Sequence, residues 1–367
     1  MKIAFDARSL FGGGTGDRTY FCELILALAR SHPRDEMLLY ERDADEERAL
    51  FASQIPNASL TRVPFGVGAL WNQLAMTPRL VRDGAQLLHS QYLLPPLLPV
   101  PGVVTIHDIT FRLFPQWFPP RARRIMDVLI PLSARRASVV ITGSQCARED
   151  MIRHFKMEPA KIVVTPYAAS PRFTPVAAGE REPVLARHGL GCKYLLGLGL
   201  RGERKNVPVV LRAMEMLQVQ GEWPPETMLA LAGQEAHFPG VESSRMRDKI
   251  RFLGYVPDED LPSLYSGALS VVYPSFYEGF GLPPLEAMAC GAPVLCSDRA
   301  SLPEVVGQAG LLLSPDDVES WAGAIARVLH EPALREALRE QGLLQSAQFS
   351  WQRCAEETAQ VYEKLLR

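Results

Sequence analysis

Short runs of β-branched and large apolar residues recur along the chain, and between them lie longer stretches in which apolar positions return every three or four residues. KIAF at 2–5 is followed by a Gly-rich turn and by Tyr20 to Arg30 at helical spacing; GVVTIHD, ASVVITGS and KIVVTPY follow later in the first half. Runs of four to six such residues separated by helices are how strands of a parallel sheet look when helices cover both faces. Between about Pro171 and Cys192 the alternation lapses into PRFTPVAAGEREPVLARHGLG, rich in Pro, Gly and charge, which predicts a linker. It resumes with KYLLGLG, a helix over Val207 to Gln220, and then TMLALAG, KIRFLGYV, ALSVVYPS, APVLCSD and AGLLLSP. The fold class expected is α/β in two doubly wound domains, 1–172 and 173–350. Trp351 to Arg367 reads as a final amphipathic helix, with Cys354, Val361, Leu365 and Leu366 available for one face, expected to cross back onto the first domain.

The length of 367 residues agrees with two domains, each able to bury its own core. With 47% hydrophobic and 22% charged residues, and 39 basic against 41 acidic side chains, the chain is ordinary globular protein. A net charge of -2 gives no reason to expect nucleic acid. Six scattered cysteines form no C-x-x-C pair and suggest reduced thiols in a cytoplasmic protein. The opening MKIAFDAR meets Asp6 too early for a signal peptide. The longest apolar stretch, Tyr92 to Ile106, contains four prolines and falls short of the ~20 residues a bilayer span requires.

The segment most informative for function is YPSFYEGFGLPPLEAMACGAPVLCSD, Tyr273 to Asp298. A buried strand ends in Tyr277-Glu278-Gly279-Phe280-Gly281, and Pro283 with Pro284 occupy a first helical turn, where a missing N–H costs nothing. Amides around Gly281, Leu282 and Leu285 would then point at a ligand, as in phosphate sites at helix starts. Glu278 before this turn and Glu286 within the helix would flank the phosphate, and carboxylates suit sugar hydroxyls. A surface glutamate plus one favoured by the helix dipole is the structural alternative. Upstream, in LGLGLRGERKNVPVVLRAM, Arg201, Arg204 and Lys205 cluster where a strand gives way to a helix, and could neutralise a diphosphate leaving group without metal. Gly197, Gly199 and Gly202 also satisfy the dinucleotide G-x-G-x-x-G spelling. The third glycine is followed by Glu203-Arg204-Lys205 instead of small residues, and Glu222 lies in a Pro-rich loop, so a nicotinamide or flavin site is not expected.

The string E-G-F-G-L-P-x-L-E-A-M-A-x-G-x-P-V, with R-K-N about 70 residues upstream, resembles the retaining GT-B glycosyltransferases of family 4 over nearly the whole chain. The resemblance implies a GT-B fold, two Rossmann-like domains facing across a cleft. It implies that Glu278 contacts the hydroxyls of the donor sugar and Glu286 the ribose. Arg204, Lys205 and amides at Phe280, Gly281 and Leu282 would grip the diphosphate, with Arg201 beside them. Gly254, Tyr255 and Val256 would meet the nucleobase.

In the first half, FDARSLFGGGTGDRTY follows the first strand and resembles the family's loop facing donor phosphates and acceptor, which places Gly14 and Gly16 in the donor site. The family's usual G-x-G-R-Y here reads Gly16-Asp17-Arg18-Thr19-Tyr20, a departure at Arg18. Thr105-Ile106-His107-Asp108 ends another strand. A histidine there is commonly a structural hydrogen-bonder, but the resemblance sets His107 over the donor sugar. FRLFPQWFPPRARR, 111–124, mixes aromatic and cationic groups and suits either a packed loop or peripheral contact with the inner face of a membrane.

These readings converge on a metal-independent retaining hexosyltransferase that needs no cofactor beyond its nucleotide-sugar substrate. The opening Asp-Ala-Arg and the PSFYEGFGLPPLE wording are similar to enzymes that move mannose from GDP-mannose into bacterial polysaccharides, onto a saccharide or lipid-linked acceptor. A catalytically silent nucleotide-sugar-binding scaffold and a sugar-nucleotide 2-epimerase are the alternatives.

Overall fold

The computed structural model describes residues 1–11, 16–41, 51–63, 69–191, 193–199, 202–233, 238, 240–241 and 244–367. The chain divides into two compact units: Met1–Tyr167 with Ser350–Arg367, and Ala168–Phe349.

In the first unit, seven strands among the described residues form one parallel sheet in the order β3-β2-β1-β4-β5-β6-β7. They are β1 (Lys2–Asp6), β2 (Glu36–Glu41), β3 (Ala58–Arg62), β4 (Leu87–Gln91), β5 (Gly102–Thr105), β6 (Val139–Thr142) and β7 (Ile162–Val164). The central strands are apolar on both faces: Leu88, Val104 and Val140 pack with Ile130, Met151 and Phe155 from helices on one side. The last helix, Trp351–Leu366, starts at Ser350, whose side chain accepts from the Arg353 amide, and packs on the Gly16–Ser31 helix. Its buried face contains Cys354 and Val361 as the periodicity suggests, but is anchored by Trp351 and Tyr362, while Leu365 and Leu366 are only half-buried.

The second unit has six parallel strands among its described residues, ordered β10-β9-β8-β11-β12-β13. These are β8 (Tyr194–Gly197), β9 (Met228–Ala232), β10 (Ile250–Gly254), β11 (Ser270–Tyr273), β12 (Val294–Ser297) and β13 (Leu311–Leu313). The expected Val207–Gln220 helix forms between left-handed residues, Asn206 at its start and Gly221 at its end. The stretch expected as a linker instead holds a helix, Ala178–Arg187, which packs against the Leu261–Gly267 helix inside this unit. Its Pro183 and Gly179 disguise it in the sequence, because both residues ordinarily argue against a helix.

Candidate active site

In each sheet the strand order reverses once, between β1 and β4 and between β8 and β11. Open α/β sheets take ligands beyond the carboxyl ends of their strands at such reversals, because the loops from the two neighbouring strands turn to opposite faces there and leave a crevice.

At the second reversal the residues leaving β8 and β11 are tied together. The Phe276 amide donates to the Arg204 carbonyl at 2.9 Å, and Arg204 Nη1 donates to the Tyr277 carbonyl at 3.0 Å. The same Nη1 donates to Glu278 Oε2 at 3.1 Å, while Lys205 Nζ donates to Glu278 Oε1 and to Tyr273 Oη, each at 2.6 Å. Lys205 and Glu278 are buried, and Tyr273 is the last residue of β11. Burial alone would raise the Glu278 carboxyl, but the Lys205 ammonium and Arg204 guanidinium hold it below the usual carboxylate range. Glu278 is therefore an ionised acceptor, and the three side chains together carry one net positive charge.

The helix Leu282–Ala289 begins beside this cluster in sequence, with Gly281 at φ 114° as its cap. A Cβ at Gly281 would come within 2.8 Å of Leu302 Cδ2, so a side chain is excluded by both backbone and space. Because Pro283 and Pro284 have no N–H, Leu282 supplies the lone amide of the first helical turn. The Leu285 amide, expected to face a ligand, instead donates to the Gly281 carbonyl at 3.3 Å as the helix's own first bond. Phe280 is buried and meets the Phe349 ring edge-on at 6.0 Å. Ser301 Oγ lies 2.8 Å from the Glu278 carbonyl and 2.7 Å from the Phe280 carbonyl, bracing the loop from below.

Glu286 is half-buried and receives a hydrogen bond from Tyr265 Oη at 3.0 Å. Burial pushes its carboxyl up to about 7, the Tyr265 hydroxyl pulls it down, and Asp258 adds a smaller upward push. The two glutamates thus sit in opposite electrostatic settings. At the end of β10, Gly254 has φ 65° and its carbonyl accepts from the Gly233 amide at 2.8 Å, so that oxygen is already engaged. The neighbouring Tyr255 ring is 82% exposed, whereas Val256 is buried. Arg201 and Gly14, both assigned to the donor from the sequence, lie outside the described residues.

At the first reversal the hydrogen-bond partners of the His107 imidazole are neutral groups, with the Asp17 carboxylate 3.7 Å from His107 Nε2. His107 follows β5 and is buried, with Nδ1 2.7 Å from Tyr167 Oη and Nε2 2.6 Å from Gln91 Oε1. The Gln91 amide nitrogen donates to Ser9 Oγ at 2.6 Å and to the Asp17 carbonyl at 3.3 Å, which leaves its oxygen to accept from His107 Nε2–H. Tyr167 then donates to Nδ1, and the imidazole is fixed as one neutral tautomer. Desolvation lowers its pKa, with Asp17 and Asp108 opposing. A second chain runs alongside: Tyr362 Oη to His89 Nδ1 at 2.5 Å, His89 Nε2 to Thr105 Oγ1 at 2.7 Å, and Thr105 Oγ1 to Tyr20 Oη at 3.0 Å. Gly16 opens the Gly16–Ser31 helix, and the departure at Arg18 has a local use, because its Nε donates to the Leu10 carbonyl at 2.9 Å.

Sequence reasoning did not single out Tyr273, Tyr265, Ser301, Gln91 or Tyr167. Tyr265 and Tyr273 read as core, while Ser301 and Gln91 are polar residues that carry no motif of their own. Only the partners show that they position the charged and imidazole groups.

Comparison with known proteins assigns these features to a family. Residues 16–171 match the family described as Glycosyltransferase Family 4, and residues 188–345 match Glycosyl transferases group 1. O-antigen chain mannosyltransferase B of Escherichia coli is 35% identical over the full length of both chains. The serotype-specific mannosyltransferase WbdA of Escherichia coli is 30% identical over 63% of this chain, which spans 29% of that longer protein. D-inositol 3-phosphate glycosyltransferase of Corynebacterium jeikeium is 33% identical over 67% of this chain and 61% of its own. Among solved structures, sucrose-phosphate synthase from Thermosynechococcus elongatus superposes with TM-score 0.77 at 22% identity, covering 100% of this chain and 99% of its own. Anabaena HepE in complex with UDP and glucose gives 0.74 at 19% identity, over 99% of this chain and 100% of its own. The two parallel-sheet units have the GT-B architecture, and the chain belongs to the family 4, group 1 glycosyltransferases.

Proposed function

We propose that this glycosyltransferase moves a mannosyl group from GDP-mannose to a saccharide or lipid-linked acceptor of a bacterial polysaccharide, with retention of configuration and without a metal ion or other cofactor. The observation that carries the donor site is the Arg204–Lys205–Glu278 cluster at the β8/β11 reversal. Two cations suited to a diphosphate lie within hydrogen-bond reach of one ionised carboxylate suited to sugar hydroxyls. The full-length likeness to an O-antigen chain mannosyltransferase supports mannose.

In this reading Arg204 and Lys205 stabilise the departing diphosphate with the Gly281 and Leu282 amides and Arg201. Glu278 holds the sugar, and Glu286 accepts from the ribose. The exposed Tyr255 ring, between Gly254 and Val256, offers a face to the base. No side chain is assigned as a nucleophile, so the acceptor attacks from the face the phosphate leaves, and the phosphate takes the acceptor's proton. In the first unit His107 contributes as a held neutral group that orients substrate, and Gly14 and Gly16 are assigned to the donor.

Thermal-shift titration with GDP-, UDP- and ADP-sugars tests the donor, since a ligand bound only by the folded state raises Tm. GDP-mannose should give the largest shift and should be consumed with an acceptor. No shift with any sugar nucleotide would remove the site. A shift without transfer or donor hydrolysis would favour a silent binding scaffold.

A further inference from the structure

Tyr167, whose hydroxyl meets His107 Nδ1, has no regular element of its own to hold it. It lies beyond the end of β7, and the chain leaves the first unit after it. Pairing continues one step past the strand, where the Thr165 amide donates to the Thr142 carbonyl at 2.9 Å, and this sets Tyr167 against Gly143 at the end of β6. A Cβ at Gly143 would come within 2.6 Å of Tyr167 Cζ, 2.7 Å of Cε2 and 3.0 Å of Cε1, well inside the roughly 3.5 Å of ordinary carbon contact. The φ of Gly143 is not positive, so space and not backbone conformation excludes a side chain there. The closest approach is at Cζ, the carbon that carries the hydroxyl.

Two further elements bound the same ring. Trp351, which opens the last helix where the chain returns to this unit, lies parallel to Tyr167 at 9° with ring centroids 6.2 Å apart. Tyr20, from the Gly16–Ser31 helix, meets Tyr167 at 4.4 Å and Trp351 at 6.1 Å, and its own hydroxyl is tied to Thr105 Oγ1 at 3.0 Å. Trp351 is buried, and its Nε1 has no hydrogen-bond partner among the described residues. An unpaired buried N–H is unfavourable, so the indole serves through its ring surface, and the rings it meets are Tyr167 and Tyr20.

We propose that Gly143 and Trp351 are positioning residues for glycosyl transfer: with Tyr20 they clamp the Tyr167 ring, so that its hydroxyl reaches Nδ1 and His107 keeps one tautomer and one direction. This role rests on the reading of His107 as the group that orients substrate, and extends it to two residues that touch no substrate themselves. Both imidazole nitrogens are committed, one to Gln91 and one to Tyr167, only while the Tyr167 ring stays in place. A ring released by Trp351, or pushed by a side chain at position 143, withdraws one of those bonds and lets the imidazole turn about the other. If these rings were packed core and nothing more, the same substitutions would cost stability without a change at His107.

Histidine-selective ¹⁵N labelling of the full chain, with His107→Gln to identify the signal, reads that bond. Tyr167→Phe removes the hydroxyl and keeps the ring, so it defines the Nδ1 resonance without its hydrogen bond. Gly143→Ala and Trp351→Phe should move Nδ1 from the parent position toward that of Tyr167→Phe. Each should lower kcat by roughly 3- to 10-fold, within the loss caused by His107→Ala, while nucleotide affinity stays at the parent value. In a His107→Ala background neither should lower kcat further, because both act through the missing imidazole. Trp351→Phe breaks no hydrogen bond and carries the test alone if Gly143→Ala does not fold. An unmoved Nδ1 resonance in the folded variants would overturn the proposal, and so would an undiminished loss of kcat in the His107→Ala background. Full turnover by His107→Ala would defeat the reading of His107 and take the positioning role with it. The two failures are distinct, because an unmoved Nδ1 beside an impaired His107→Ala leaves that reading standing.

Discussion

The two sheets reverse their strand order in the same way, yet they furnish the reversal with opposite chemistry. Beyond β8 and β11 stand two cations and a carboxylate in direct contact, Arg204, Lys205 and Glu278. Near β1, β4 and β5 the groups around His107 and His89 form hydrogen-bonded chains of imidazole, phenol, amide and hydroxyl. At the end of β1, Arg8 pairs with Asp6 at 2.5 Å, and the two neutralise each other. A shared topology therefore supplies position, and the residues at the strand ends decide whether that position offers charge or orientation. In a reaction that expels a diphosphate, one site should be sensitive to loss of charge and the other to loss of geometry.

Removing a cation from the charged site should have the largest effect. Lys205→Ala leaves the buried Glu278 with Arg204 alone, and in the proposed mechanism withdraws an electrostatic stabiliser of the leaving group. Losing a single preorganised donor of this kind costs about 10²–10³ in rate. We expect kcat/KM to fall by about that much, with weaker nucleoside diphosphate binding and a lower Tm. The double variant Lys205→Met/Glu278→Gln should recover much of the Tm, because it removes the uncompensated carboxylate together with its partner, but none of the activity. Recovery of activity in the double variant would mean the cluster is structural only.

At the neutral site, His107→Ala should reduce kcat by about 10-fold or more while nucleotide affinity stays near the parent value, as expected for a group acting on orientation. Gln91→Glu is the sharper variant. A carboxylate 2.6 Å from Nε2 would favour imidazolium, whereas the native amide oxygen accepts from the neutral ring. The variant should acquire a kcat–pH dependence absent from the parent. Equal loss of affinity and kcat in His107→Ala would place His107 in donor binding instead.

How legible each site was in the sequence follows from the same contrast. Glu278 and Glu286 are charged residues in a largely apolar segment, and Arg204 and Lys205 belong to a cationic cluster just after an apolar strand, so both advertise themselves. The strands around them were legible because parallel sheets demand continuous apolar runs. The hydrogen-bonded chains were not, because Tyr20, Tyr167 and Tyr362 differ from core phenylalanines only by a hydroxyl, and His89 follows two leucines in β4 with no motif around it. The helix over Ala178–Arg187 escaped for a related reason. Its tertiary contact with the Leu261–Gly267 helix overrides a sequence rich in helix breakers.

The two sites should also answer pH in opposite senses. Desolvation holds the fully buried His89 down to about 3, well below the ordinary 6.5. Its contribution to stability is therefore full above about 6.5 and is lost as pH falls toward 3, on the order of a few kcal/mol across that window. Glu286, raised to about 7 from 4.5, behaves the other way: its contribution is full below 4.5 and is lost as pH rises through 7. His89→Gln should flatten the acid limb of the Tm–pH profile, and Glu286→Gln the neutral limb. Nucleotide binding adds a second readout. A ribose hydroxyl donates more strongly to Glu286 when the carboxylate is ionised, so affinity should fall as pH drops below 7, by at most about tenfold per unit, with proton release on binding. Tyr265→Phe removes the hydrogen bond that opposes the upward shift and should move that midpoint further up. Calorimetry in buffers of different ionisation enthalpy measures the released proton, and binding without release would show that Glu286 does not meet the ribose.

The smallest expected effect is none at all: transfer in excess EDTA should equal transfer with added Mn²⁺ or Mg²⁺. A metal-dependent enzyme of this chemistry needs carboxylates free to bridge cation and diphosphate. Asp258-Glu259-Asp260 is the described sequence that spells such an element, and its aspartates are committed elsewhere. Asp260 is buried, with Arg187 at 2.6 Å and His188 at 2.8 Å, and Asp258 reaches out to Arg172 at 3.5 Å. Asp43-Ala44-Asp45, the other candidate, lies outside the described residues. The Glu278 carboxylate is itself held by Lys205 and Arg204, and a divalent ion placed there would have to displace two cations that already supply the charge it would bring. A diphosphate entering the same site meets those cations directly and needs no bridging ion. Activity lost to EDTA and restored by Mn²⁺ would break the comparison at its root, because the charge at the β8/β11 reversal would then be insufficient for the leaving group it is proposed to hold.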